Sequence, residues 1–199
     1  NMGIRDGVLE FLKQYPGVTV VANEVVAKGT TDFRGALAKV KASKPDAVIL
    51  NPFLGATAEN LLKQIAEMKS WTGYKLITTF AYLSDTARLP VGNFAEGMII
   101  VDVPAMTDPA FLALSAKIEA EKGTLKDVGG YYTASTLDTV DLLTSLITKN
   151  GNDPVKVQNE LSTGSFKGFI GDIKFDGNNF VRFNLSGTYI IKDGKPVLQ

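Results

Sequence analysis

The residue types that most enzymes use for nucleophilic or metal chemistry are missing from this sequence. Its 199 residues contain no histidine and no cysteine. That removes thiol nucleophiles, disulfides, serine–histidine triads and the usual zinc and haem ligands. Carboxylates remain. Asp138 and Asp141 stand three apart on a helical pattern, and Asp172 and Asp176 fall on a strand-like one. Such spacings are ordinary on solvated faces, and no metal ligand or partner acid accompanies either pair. There is no GxxxxGK[ST] loop and no GxGxxG after a strand, and Gly129-Gly130 precedes a helix without following a strand. The chemistry best served is non-covalent. Phe53, Phe80 and Tyr82 stand beside Asn51, Thr78, Thr79 and Ser84, a mixture of aromatic walls and hydrogen-bonding groups that suits a small organic ligand. Tyr131 and Tyr132 add two rings and two hydroxyls. Each of these aromatics reads equally well as a core residue at an element's end.

These side chains need a scaffold, and periodicity supplies one. Ile4, Val8, Phe11, Leu12 and Tyr15 have helical spacing, and Pro16-Gly17 stops that helix. Val18 to Ala22 reads as a short buried strand. Thr31 is placed to cap a helix bearing Phe33, Leu37 and Val40, and Thr57 to cap another showing Leu61, Leu62, Ile65 and Met68. Strands are expected over 46–50, 74–79 and 97–103, while Trp71 falls in a surface-type connection. Strands alternating with helices imply crossover connections, hence an α/β fold with a mostly parallel sheet covered on both faces. In such sheets ligands bind outside the carboxyl ends of the strands, where Asn51 to Ala56 and Phe80 to Asp85 lie.

Beyond Pro104 the rhythm changes. Asp108-Pro109 and Asp153-Pro154 each pair a cap with proline at the first helical position. Between them a long helix runs from about Tyr131 to Lys149, with Leu137, Val140, Leu143 and Ile147 as its stripe. Residues 166–199 read as β: Phe169 to Phe175, a turn at 176–178, Phe180 to Leu185, then Tyr189 to Ile191 and Pro196 to Leu198 around a tight Asp193-Gly194 turn. The 21 Lys+Arg balance 21 Asp+Glu, so charge gives no reason to expect nucleic acid or an acidic membrane as partner. With 45% apolar residues the composition is globular, and no run approaches about 18 consecutive apolar residues.

Several segments together resemble the type I periplasmic binding proteins, in the branch of the leucine/isoleucine/valine-binding protein. They are Gly29-Thr-Thr-Asp-Phe33, Lys44-Pro-Asp-Ala-Val48, Ala95-Glu-Gly-Met98, Asp108-Pro-Ala-Phe111, Leu137-Asp-Thr-Val140, Phe166-Lys-Gly-Phe-Ile-Gly171 with Lys174-Phe-Asp-Gly177, and Lys192-Asp-Gly-Lys195. The resemblance implies the parallel-sheet, three-layer lobe of that fold, with the first lobe largely missing. Residues 1–103 and 178–199 would form the second lobe, and 104–177 the helices and strand associated with the first lobe and hinge. It further implies a non-catalytic, solute-binding component of an ABC importer, periplasmic or lipid-anchored, needing no cofactor and taking a small amino acid or carboxylate, aromatic acids included. A ligand-sensing regulatory or receptor domain of the same fold is the alternative. Carried over by position, the ligand-binding residues would be Phe53, Leu54, Thr79, Phe80, Ala81, Tyr82, Tyr131, Tyr132 and Ala134, joined by Asn51 from the strand-end reading. The stretch Thr79 to Tyr82 has no acid to hold a ligand ammonium, which leaves carboxylates and aromatic acids open. The partners implied are a small-molecule solute and an ABC permease, not nucleic acid, with homo-oligomerisation through the incomplete lobe as a further expectation.

Overall fold

The computed structural model describes residues 2–68, 71, 73–83, 85–103, 106–122, 130–175 and 186–199. Ser84, Pro104, Gly129 and the turn and strand expected over 176–185 lie outside them. The chain divides into two compact units, 1–102 with 187–199, and 103–186.

In the first unit, helix α1 spans Met2–Leu12 and α2 Arg34–Ala42. Strand β1 is Ala47–Leu50, α3 Ala56–Glu67 and β2 Lys75–Thr78. A 3-10 turn at Phe80–Tyr82, the short α4 at Asp85–Arg88 and a 3-10 stretch over Leu89–Ala95 lead to β3, Ile99–Asp102. Strands β1, β2 and β3 are parallel. The second unit supplies α5 (Pro109–Lys122), α6 (Gly130–Asn150), α7 (Pro154–Thr163), β4 (Ser165–Gly168) and β5 (Gly171–Lys174). The chain ends in the first unit with β6, Gly187–Lys192, and β7, Lys195–Leu198. These two are antiparallel and complete a sheet ordered β1-β2-β3-β6-β7.

Burial explains which face of that sheet carries the core. Val48, Leu50, Leu76, Ile100, Tyr189 and Ile191 alternate inward along their strands and meet Leu62 and Ile65 of α3 and Leu37 of α2. Their neighbours Ile49 and Val101, on the opposite face, remain exposed, and no residue of α1 is buried. The expectation of a sheet covered on both faces is therefore met on one face among the described residues. Val18 to Ala22 is not a strand. It has no ladder partner among the described residues, and Val18, Val20 and Val21 stand exposed. A strand exists only through pairing, so apolar alternation alone does not make one. Trp71 is 2% exposed and its ring lies 5.4 Å from that of Tyr74, so it belongs to the core and not to a surface connection.

Local cap chemistry decides several helix starts. Asp153 accepts from Val155 N and Lys156 N, and Asp108 Oδ1 from Phe111 N at 2.9 Å. Thr31 and Thr57 do not cap. Asp32 Oδ1 takes Arg34 N instead, while Gly55, at φ 74°, turns the chain into α3 with Thr57 already inside the helix. Thr31 contributes its carbonyl, which accepts from Gln64 Nε2, and Gln64 Oε1 accepts from Phe33 N at 2.7 Å. This buried amide ties the approach to α2 onto α3.

In the second unit, Phe111, Ala134, Ile170 and Ile173 form a small cluster with Met106, Tyr131, Leu137, Phe166, Phe169 and Phe175 around it. Strands β4 and β5 make a tight hairpin, so the strand expected from Phe169 to Phe175 begins only at Gly171, its first two residues forming the turn. The buried stripe of α6 is Ala134, Asp138 and Leu146, whereas Val140, Leu143 and Ile147 of the expected stripe are exposed. Helix α6 meets α7 and β4 within this unit, with Ala134, Asp138 and Leu146 on its buried face and Val140, Leu143 and Ile147 left exposed.

Candidate functional site

The parallel register sets Leu50 opposite Thr78. The loops leaving β1 and β2 therefore start side by side. Thr78 Oγ1 donates to Leu50 O at 2.9 Å, a buried bond that pins the two strand ends together. The next hydroxyl, Thr79 Oγ1, is buried without a hydrogen-bond partner among the described residues. Leaving such a group unsatisfied costs about 1–3 kcal/mol. Asn51 and Phe80 are half-buried, while Phe53 and Leu54 are 54% and 58% exposed. Large apolar side chains held this open at a strand's carboxyl end suit contact with another molecule.

Two expected members of this group sit elsewhere. Ala81 is 1% exposed and Tyr82 fully buried, its hydroxyl donating to Ala58 O at 3.0 Å. The 3-10 turn folds both inward onto α3, so they support the strand-end loops from below and present no surface. Burial pushes the Tyr82 phenol above its ordinary value of 10.0. The folded state thus keeps a proton that the unfolded state loses at alkaline pH. Stability from this group is fully present below pH 10 and declines as pH rises beyond it. Urea midpoints measured at rising alkaline pH are expected to fall, and Tyr82→Phe to fall less steeply; equal slopes would show that the buried phenol is not responsible.

In the second unit, Tyr131 is half-buried and Tyr132 is 53% exposed, with ring centroids 5.9 Å apart and edge-on. The Tyr131 phenol is raised by burial first, then by Tyr132 and Asp138. Ala134 is fully buried in the aromatic cluster, so its place is packing. A cavity of about 140 Å³ in this unit is walled by Ser135, Thr139, Leu142, Leu161, Ile170 and Phe175, among others. It has two hydroxyls and an otherwise apolar lining, too few convergent polar groups to orient a polar ligand. Among the described residues no group of acidic side chains comes together as a metal site requires.

Sequence reasoning missed Asp138, which reads as an ordinary polar-face acid beside Asp141. It is only 6% exposed and accepts from Phe169 N at 2.8 Å and Ile170 N at 2.9 Å. The available signal was its place four residues after Ala134 on one helix face, together with the close glycines of Phe166-Lys-Gly-Phe-Ile-Gly171.

A sequence model of the periplasmic binding proteins matches residues 3–184. The chain belongs to that family. Solved structures agree on the fold. A leucine-binding protein from Thermotoga maritima superposes with a TM-score of 0.73 at 19% identity, over 96% of this chain and 55% of its own. A solute-binding protein of an ABC transporter from Rhodopseudomonas palustris, in complex with p-hydroxybenzoic acid, gives 0.74 at 21% identity over 98% and 54%. A branched-chain amino acid ABC transporter protein from Thermus thermophilus with bound valine gives 0.72 at 14% identity over 96% and 54%. The chain spans little more than half the length of these periplasmic binding structures. Its α/β fold is that of the lobe expected from the resemblance.

Proposed function

We propose that this chain is the solute-binding part of an ABC import system, a non-catalytic protein of the periplasm or outer cell surface. It captures a small amino acid or carboxylate, aromatic acids included, and delivers it to a membrane permease. The observation that carries this reading is family membership over residues 3–184. At residue level it is supported by the adjacent strand ends of β1 and β2, which offer exposed Phe53 and Leu54 and the buried Thr79 hydroxyl, which has no hydrogen-bond partner among the described residues. The ligand-facing residues proposed for the first unit are Asn51, Phe53, Leu54, Thr79 and Phe80. In the second unit they are Tyr131 and Tyr132. Ala81, Tyr82 and Ala134 act as packing behind them. Thr79 to Tyr82 lacks a carboxylate, which favours an acid over an α-amino acid as ligand.

Calorimetric titration of the full-length protein with benzoate, 4-hydroxybenzoate, leucine and valine tests the reading. One of these is expected to bind, with Phe53→Ala weakening it about tenfold, equivalent to about 1.4 kcal/mol. Silence across the panel and across a wider set of small carboxylates would overturn it.

A further inference from the structure

Asp138 is the buried acid among the described residues, and three successive residues wrap its carboxylate. Phe169 and Ile170 donate their backbone N–H groups to Oδ1 and Oδ2. Gly168 approaches so closely that a Cβ there would lie 2.4 Å from Asp138 Oδ2 and 2.4 Å from Cγ. Gly168 has no positive φ, so the absent side chain is what the contact requires, not an unusual backbone angle. The turn held in this way carries Phe169 and Ile170 into the cluster that contains Ala134 and flanks Tyr131. The Phe169 ring packs 5.6 Å from that of Phe111. Asp138, Ala134 and Tyr131 lie at intervals of four and three along α6, on one face.

We propose that Asp138 is a positioning residue for Tyr131. Through the 168–170 turn it fixes the aromatic wall against which the opening of α6 packs, and so sets where the Tyr131 ring and hydroxyl are presented. A ligand role for this placement rests on the reading of Tyr131 as a ligand-facing residue; the placement itself does not. A carboxylate suits the task because it accepts two N–H groups at once and fits within the space that glycine leaves. Asparagine keeps the shape but offers one accepting oxygen, and a side chain at 168 displaces the carboxylate while leaving its charge intact.

The test is carbon-13 NMR of tyrosine Cζ in the 199-residue chain, with Tyr131→Phe assigning the resonance. Asp138→Asn is expected to shift the Tyr131 signal and lower its titration midpoint, the other tyrosines staying in place. Gly168→Ala is expected to shift the same signal without removing any charge. A folded Asp138→Asn protein with the Tyr131 signal and midpoint unchanged would overturn the proposal. So would a Gly168→Ala protein with that signal unmoved, and this second variant decides the matter should the first fail to fold. No ligand enters these measurements. If the shifts appear while Tyr131→Phe leaves the affinity of the full-length protein for benzoate and leucine unchanged, the positioning stands and only the ligand role of Tyr131 falls.

Discussion

Tyr82→Ala is expected to destabilise the first unit by about 3–5 kcal/mol, the range for emptying a fully buried aromatic site. Domains are commonly stable by about 5–15 kcal/mol, so the variant should lose a large share of its total stability. The size of the effect follows from position. The ring has no exposure, lies in the cluster with Leu62, Ile65 and Ile100, and its hydroxyl reaches Ala58 O in the first turn of α3. It therefore joins the end of β2 to the helix that follows β1. Tyr82→Phe keeps the ring and loses one hydrogen bond, for about 1 kcal/mol. Urea denaturation of both variants separates the terms. A Tyr82→Ala protein as stable as Tyr82→Phe would mean that the ring is not packed as described. Because Thr79 and Phe80 lead directly into the turn that Tyr82 anchors, the alanine variant should also lose ligand affinity, while the phenylalanine variant retains it.

What could be read in the chain beforehand was whatever its neighbours in sequence decide. The caps at Asp108 and Asp153 are settled within three residues, as is the Asp193-Gly194 turn, whose two residues have φ of 51° and 72°. The order of β1, α3, β2 and β3 follows from alternation that each segment carries within itself. Features settled at a distance were illegible. Val18 to Ala22 has the composition of a strand but no partner to pair with among the described residues. Asp138 looks solvated until Phe169 and Ile170, thirty-one and thirty-two residues later, are brought to it. Thr57 loses the cap to Gly55 because the turn out of β1 needs a positive φ two residues earlier. At the candidate site the strand-end principle placed Asn51 to Leu54 and Thr79 to Tyr82 at the carboxyl ends of β1 and β2. It could not say that Ala81 and Tyr82 turn inward, since a 3-10 turn rotates successive side chains by about a third of a circle and its starting angle is set by packing.

Arg88→Met is expected to cost about 2–4 kcal/mol, in the range of one or two charge-assisted hydrogen bonds, since the contact with exposed Asp85 is largely replaced by water. Nothing in the local sequence marks this arginine, yet it is 1% exposed. Its guanidinium donates to Leu83 O at 3.3 Å, to Gly194 O and to the Asp85 carboxylate. Glu96 grips the same turn from its amide side, accepting from Asp193 N at 3.0 Å and Gly194 N at 2.6 Å. A cation thus takes the carbonyl and an anion the N–H groups of one hairpin turn. Asp85 is 73% exposed, so its charge returns to water when the arginine is removed, and the loss is of bonds and not of a stranded ion. Arg88 Nε has no partner among the described residues, so the substitution loses no bond there. Methionine preserves the packed stem, and lysine should rescue little because one ammonium cannot replace a fork that spans two carbonyls. Glu96→Gln, at an exposed position, should cost about 1 kcal/mol, and the double variant less than the sum because both side chains hold one turn. Amide exchange gives the sharper readout. In Arg88→Met the amides of β6 and β7 should lose protection before those of α3, as a local opening of the sheet edge. The Asp193-Gly194 turn has the geometry that closes two-residue hairpins unaided, so protection left unchanged in Arg88→Met would mean that the turn alone holds the hairpin and the arginine is incidental.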